Sequence, residues 1–458
     1  MEWAFQELLN TDLGDVRRTD RLIAMIEAFF RRPEASPLEA LGDPHQAKAA
    51  YRFWDSEPCT VAGILSGHVQ RTHQRCAAYD ELLVVQDSTE FNYTSHRSVT
   101  GLGYTSRAKT QGVKCHAALG VAPDGDVLGV LDLHFWTRPN GQRGQRSHRN
   151  RRTTDQKESA RWLRGVDATQ QAAPRVGRVV VIGDAEADLF DLFAAPRAPG
   201  VELLVRVHHK NRLVDHPQRR VLDAVLSQPI GSIHVEIPRA DGRPGRRAAL
   251  ALYATSAPVP PPQNHPRKGC SPVTLAWVLA REERPPADAA PVEWLLATTL
   301  RIASYDEAIA CVERYRLRWR IERFFYALKQ GCAVEKLELQ SAARLQRAIA
   351  TYAIVAWRLL HILYHARANP AADGRTLFHA IELQILEAHG ARRRRPHPQA
   401  PITNAQAVQW LGQLGGHPGR ARDAPPGVKS LWRGLQRLTE QLQGYLMANY
   451  QLQHLGNA

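Results

Sequence analysis

Three acidic residues are placed where they could share divalent cations. Asp87 follows the apolar run 82–85 and Gln86, Asp184 follows the apolar run 179–182 and Gly183, and Glu322 lies in a helical stretch. Carboxylates gathered in this way offer oxygen ligands to hard ions such as Mg²⁺ or Mn²⁺. Two such ions suit phosphodiester cleavage, because each keeps coordination places for water and a substrate phosphate. Taken singly, each residue has a plainer explanation. An aspartate at a strand end commonly caps the next turn, and a glutamate among arginines forms a solvated ion pair. The combination favours the metal-binding reading. Tyr315, Arg318, Glu322 and Lys329 follow one another at intervals of three, four and seven. On one regular helix over 315–328 that spacing predicts a common face carrying an acid, two bases and an aromatic ring.

The elements around these residues define an α/β layout. The run 82–85 reads as a buried strand with Asp87 at its C-terminal end, and 113–121 and 127–136 read as strands joined by the turn at Pro123, Asp124, Gly125 and Asp126. Three strands so closely connected predict an antiparallel meander. After an arginine-rich loop over 138–152, the pattern predicts a helix over 155–163, a strand over 179–182 and a helix over 185–193. Open sheets place ligand-binding residues at such strand ends. Alternating segments at 233–237, 249–253 and 274–279, interrupted by the proline cluster 258–262, predict an inserted β subdomain over about 210–295. Beyond Ser304 the pattern is helical through 342–364, until Asn369, Pro370 and Gly374 mark a linker.

The flanks are helical as well. Leu22, Ile23, Ile26, Phe29 and Phe30 recur at helix spacing behind Arg17, Arg18 and Arg21, and a second helix carries Lys48, Tyr51, Arg52 and Phe53. At the other end an arginine run at 392–395 precedes a helical stripe of Leu431, Leu435, Leu438, Leu442, Tyr445 and Leu446, which must pack against this chain or a second subunit. The expected domains are a basic helical module over 1–66, an α/β domain over 67–368 that carries the three acids, and a helical domain over 369–458.

Composition sets the class of partner. A chain of 458 residues exceeds one ordinary core, and 44% hydrophobic with 23% charged residues is a globular balance. The net charge of +15 is carried mainly by arginine, whose planar fork grips phosphate oxygens, so double-stranded DNA is the expected partner. Six scattered cysteines suggest neither a zinc knuckle nor a disulfide framework. With no apolar leader and no run long enough to span a bilayer, no membrane partner is expected, and the expected location is the cytoplasm, where the DNA is.

The stretch 315–329 resembles the Y-x2-R-x3-E-x6-K signature of bacterial insertion-sequence transposases, the cut-and-paste group with an RNase H-like catalytic core. Gln86, Asp87, Ser88 and Thr89 resemble the family's first-aspartate segment, and the run from Gly183 to Asp188 resembles its second. The likeness extends over nearly the whole chain, including Tyr51 and Arg52. It implies Asp87, Asp184 and Glu322 as a catalytic triad holding two Mg²⁺ (or Mn²⁺) ions, with Tyr315, Arg318 and Lys329 on the DNA strand near the cut. It also implies a phosphate contact at Arg206, a base-packing role for Trp294, DNA-end contacts in the arginine-bearing N-terminal module (Arg17, Arg18, Arg21, Lys48, Arg52), and a homodimer in the synaptic complex. By the same resemblance the activity is cleavage of element ends through a hairpin and joining of 3′-hydroxyls to target DNA. The alternatives are an RNase H-like nuclease that cannot join strands, and a transposase-derived DNA-binding protein without catalysis. Ala185 departs from the family pattern, which has an arginine directly after the second aspartate. Trp294 has a plainer alternative as a core residue of an apolar strand.

Overall fold

The computed structural model describes residues 2–455 except 108, 140–156, 173–175, 227, 238–244, 264–269, 288, 392–400 and 421–422. Most of the arginine-rich loop expected over 138–152, the start of the helix expected at 155 and the arginine run 392–395 lie outside the described residues.

Five helices lead: α1 (Glu2–Leu8), α2 (Val16–Arg31), α3 (Pro37–Leu41), α4 (Pro44–Asp55) and α5 (Val61–Cys76). The next elements are β1 (Glu81–Asn92), β2 (Gly103–Tyr104), β3 (Gln111–Val121), β4 (Val127–Trp136), α6 (Ala160–Ala172), β5 (Arg178–Gly183), α7 (Phe190–Ala194), β6 (Val201–Arg206) and α8 (Val221–Val225). Then come β7 (Gly231–Ile237), β8 (Arg246–Val259), β9 (Val273–Glu282), β10 (Glu293–Thr298), α9 (Tyr305–Arg316), α10 (Trp319–Tyr326), α11 (Ala342–Ala368), α12 (Ala380–Ala391), α13 (Asn404–Leu414) and α14 (Val428–Leu455).

All the strands belong to one sheet, in the order β2-β3-β1-β5-β6-β10-β9-β8-β7, with β4 also on β3. The expected meander is β1-β3-β4, antiparallel throughout, and β5 then joins β1 in parallel and β6 joins β5 in parallel. The inserted strands β7, β8 and β9 are present, and they continue the same sheet, because β10 pairs with both β6 and β9. Successive strand residues point to opposite faces. Leu83, Val85, Val180 and Ile182 accordingly enter one core with the N-terminal helices, α10, α11 and the C-terminal helices. Leu82, Val84, Val179 and Val181 enter a second core with Trp162 of α6, Phe190 and Phe193 of α7 and Val221 of α8.

Helix α11 is the axis of the first core and is buried nearly all round, as a helix apolar on every side must be. Trp54 of α4 stacks near Phe29 of α2 and donates its indole N–H to Thr351 Oγ1 at 3.2 Å, so the N-terminal module is seated directly on this axis. Among the described residues no helix is long and apolar enough to cross a membrane.

Three expected helices differ from the observed ones: the one expected over 155–163 is, among the described residues, α6 from Ala160 to Ala172, and two others differ in kind. Residues 185–193 form a single 3₁₀ turn, Ala185–Ala187, capped by Asp184 accepting from Glu186 N–H at 2.8 Å, and then α7; between them Asp188 has a non-helical ψ of 67°, its carboxylate held by the N–H groups of His208 and His209 at 2.9 and 3.0 Å. The helix expected over 315–328 is broken between α9 and α10. At the break Leu317, Arg318, Arg320 and Ile321 bond three residues back rather than four. Beyond α10, residues Ala327–Gly331 form a wide π turn closed by Cys332 N–H to Ala327 O at 2.7 Å. One tight and one wide turn shift the phase of the side chains, so the even spacing of Tyr315, Arg318, Glu322 and Lys329 does not give one uninterrupted face.

Candidate active site

The sheet register brings the two aspartates side by side. In the parallel pair β1·β5, Val85 lies opposite Ile182, so two residues further along each chain Asp87 comes opposite Asp184. Asp87 is not at the end of its strand, as expected from the sequence, but within β1, which continues to Asn92 on its β3 partner alone. The expectation erred because Ser88, Thr89 and Glu90 are polar. They are held in the strand by specific partners: Ser88 by His116 at 2.9 Å, and Glu90 by Lys114 at 2.8 Å. What ends beside Asp87 is β5, and the chain turns away at Gly183. A Cβ there would lie 2.6 Å from the Ala187 Cβ and 3.2 Å from the Trp162 ring, so glycine lets the turn close against α6.

Glu322 reaches the same place from α10. The Arg318 guanidinium donates to Asp87 Oδ2 at 3.2 Å and to Glu322 Oε1 at 2.5 Å, so one planar fork spans both carboxylates. The side chain of Arg318 is 10% exposed and leans toward the Trp319 ring, 5.3 Å from its centroid. The break at 317–318 is what turns this arginine inward. Tyr315, at the end of α9, is buried beside it, and burial raises its phenol above the ordinary range.

Electrostatically the cluster is over-supplied with negative charge. Burial first, and then the Asp184 carboxylate, push Asp87 up to about 7, although Arg318 pulls the other way. Asp184 is raised as well, mainly by burial. Such crowding of carboxylates typifies functional sites more than structural ion pairs.

The surrounding cleft is lined by Asp87, Asp184, Glu90, Lys114, Arg161, Glu186 and Lys329, among others. Lys329 donates to Glu90 O at 2.7 Å, so it stands on the cleft wall and not against the three carboxylates. Arg206, exposed at the end of β6, and the half-buried Trp294 of β10 line a separate open cleft with Lys210 and Glu293. On the N-terminal helices, Arg17 is exposed and paired with Asp15, Arg18 donates to Leu13 O at 2.8 Å, and Arg21 bonds Gln46 to join α2 to α4. Lys48 and Arg52 are exposed on α4. None of these five is among the described residues lining the cleft beside Asp87 and Asp184.

Sequence reasoning missed Arg161 of α6. Its Nε donates to Ser88 Oγ at 2.8 Å and its Nη2 pairs with Glu186, so it ties the residue after Asp87 to the turn after Asp184. It therefore brings a guanidinium to the neighbourhood of Ala185, where the family pattern has an arginine in sequence. His116 completes the support: one ring nitrogen meets Ser88 Oγ, and the other lies 3.2 Å from Gln86 Oε1. Burial holds its pKa far below the ordinary value, so the ring stays neutral. Only the pairing of β1 with β3 brings His116 there, and no local sequence signal announces it.

Asp87 and Asp184 on neighbouring parallel strands, with Glu322 tied to Asp87 through Arg318, suit the RNase H-like core of a mixed sheet, although the oxygens of the three carboxylates do not all lie within 4.8 Å of one another. A family model described as Transposase DNA-binding matches residues 1–59, and one described as Transposase DDE domain matches residues 143–358. The second match contains Asp184 and Glu322 but begins beyond Asp87, which the sheet sets beside Asp184 and Arg318 links to Glu322. The chain belongs to the DDE transposases of insertion sequences, which act on DNA with divalent metal ions.

Proposed function

We propose that this transposase binds the terminal inverted repeats of its element, cuts at the element ends, releases the element through a hairpin intermediate and joins the resulting 3′-hydroxyls to target DNA. The observation carrying this reading is the single Arg318 guanidinium that spans Asp87 and Glu322 while Asp184 lies opposite Asp87.

The donor set fits the metal chemistry of the family. Asp87, Asp184 and Glu322 supply only hard oxygen atoms, and the raised pKa of Asp87 marks a cluster that lacks positive charge. Two Mg²⁺ or Mn²⁺ ions held there would lower the charge on the attacking and leaving oxygens of an in-line displacement. The chain's own groups do the positioning. Arg318 fixes the two carboxylates before DNA arrives, and Tyr315 packs beside it. Lys329, Lys114 and Arg161 place positive charge along the cleft where a phosphate backbone would run. Arg206 and Trp294 share a cleft suited to one phosphate and one unstacked base. Arg17, Arg18, Arg21, Lys48 and Arg52 on the N-terminal helices take duplex DNA further from the cut.

The test pairs end-labelled element DNA with a plasmid target in Mg²⁺ or Mn²⁺. Cleaved ends, a hairpin species and covalently joined products are the expected result. Cleavage without joining would reduce the protein to a nuclease, and neither product would leave only DNA binding.

A homodimer is part of the same proposal. The C-terminal stripe is divided: Leu431, Leu435 and Leu438 are buried within the chain, whereas Tyr445, Leu446 and Met447 are 45%, 50% and 71% exposed. A charge at Leu438 would therefore disrupt the monomer, and the informative changes lie further along. Leu446→Glu with Met447→Glu should leave the melting temperature of the free protein within a degree or two while removing paired-end complexes in a gel-shift assay. Unaltered pairing would assign dimerisation to another surface.

A further inference from the structure

Away from the catalytic cleft, α11 meets the β3–β4 turn through Asp126, His361 and His365. Asp126 is 1% exposed, just after Gly125, whose φ of +90° forms the turn. His361 and His365 stand four apart on α11 and so present their rings on one side of the helix. Their candidate ligand atoms and an Asp126 carboxylate oxygen all lie within 4.8 Å of one another. His365 Nδ1 is 2.7 Å from Asp126 Oδ2. His361 Nδ1 is 3.3 Å from Asp126 Oδ1, both atoms buried, with each other as partner in a contact too poorly aligned to be a well-formed hydrogen bond.

We infer that Asp126, His361 and His365 form a binding site for a transition-metal dication of the Zn²⁺ type, separate from the Mg²⁺-type triad. A buried donor and acceptor that face each other at 3.3 Å without good alignment make a weak hydrogen bond, which is costly in a buried network. They are well placed as ligands. A tetrahedral ion with nitrogen and oxygen ligands at about 2.0–2.2 Å separates those atoms by about 3.3–3.5 Å, and this pair stands 3.3 Å apart. Two imidazoles with one carboxylate select borderline ions over Mg²⁺ or Ca²⁺, which prefer all-oxygen shells. His365, with 25% of its side chain exposed, gives a fourth ligand such as water a route in. The nearby cations are engaged elsewhere: Arg358 with Leu377 O at 2.7 Å, Arg75 with Glu7, and Arg320 with Gly125 O at 3.0 Å.

Such an ion would staple the turn to α11. The turn in turn holds Arg320 of α10, two residues before Glu322, so the staple acts on the helix that carries the third carboxylate. It is a positioning site, not a reacting one.

Chelator-treated full-length protein titrated with Co²⁺ should take up one equivalent with the intense visible absorption of four-coordinate cobalt. Zn²⁺ should displace it, and excess Mg²⁺ should not. His365→Ala and Asp126→Asn should each abolish the band and the rise in melting temperature caused by Zn²⁺, whereas Glu322→Gln should retain both. If Asp126→Asn fails to fold, His361→Gln serves in its place. No band in the wild type, a band surviving His365→Ala, or a band lost in Glu322→Gln would each overturn the site and leave a hydrogen-bonded cluster only.

Discussion

Glu322→Gln is expected to cut element ends more slowly by on the order of a thousandfold or more, a loss of about 4 kcal/mol of transition-state stabilisation. Affinity for the same DNA should change by only a few fold. Glutamine keeps the size of the side chain and an oxygen that can accept from Arg318, so the local geometry survives while the negative charge is lost. With 36% of the Glu322 side chain exposed, the stability cost is small. Cleavage in Mn²⁺ and binding by gel shift, measured on the same preparation, separate the two effects. A variant that cuts at the wild-type rate would remove Glu322 from the chemistry.

The second large effect concerns stability, and its sign follows from the raised pKa of Asp87. The carboxyl titrates at 3.8 when unfolded and about 7 when folded, so folding takes up a proton between those values and stability falls as pH rises. Above about 7 the full penalty is felt, worth about 4 kcal/mol for a gap of about three pH units. In the presence of a chelator, Asp87→Asn should therefore be more stable than the wild type at pH 8, by up to that amount. The advantage should shrink as pH falls toward 4. Urea unfolding at several pH values measures it. Mn²⁺ should stabilise the wild type at pH 8, because an ion bound only by the folded state shifts the equilibrium, and it should do less for the variant. Equal stability at pH 8, or an advantage that grows on acidification, would contradict the crowding of Asp87.

Much of this was legible because it is local. Apolar runs ending in Asp87 and Asp184 announce β1 and β5, and the turn residues 123–126 announce the meander. The helical reading around Glu322 follows from composition. What the residues did not disclose depends on partners distant in sequence. Nothing between Tyr315 and Ile321 is a helix breaker, and the break at Leu317 and Arg318 goes with a buried arginine turned toward Asp87, more than two hundred residues away. The polar half of β1 is a strand because β3 supplies His116 and Lys114. Arg161 could not be singled out among sixty basic residues until α6 was laid across the ends of β1 and β5. The alternating segments after 230 were readable as strands, but nothing local states that they would join the central sheet.

The joining of these strands to the central sheet has a mechanical result. From Asp184 at the end of β5 to Trp294 at the start of β10, the path crosses only two hydrogen-bonded strand junctions, β5 to β6 and β6 to β10. Each junction spans about 4.8 Å and resists stretching. Any nucleotide gripped beside Trp294 is thus set at a constant offset from the carboxylates. With the proposed roles of Trp294 and the carboxylates, the sheet would serve as a gauge whose length is written in its register, and lengthening it by one residue in β6 or β10 would move the gripping point without touching the cutting point.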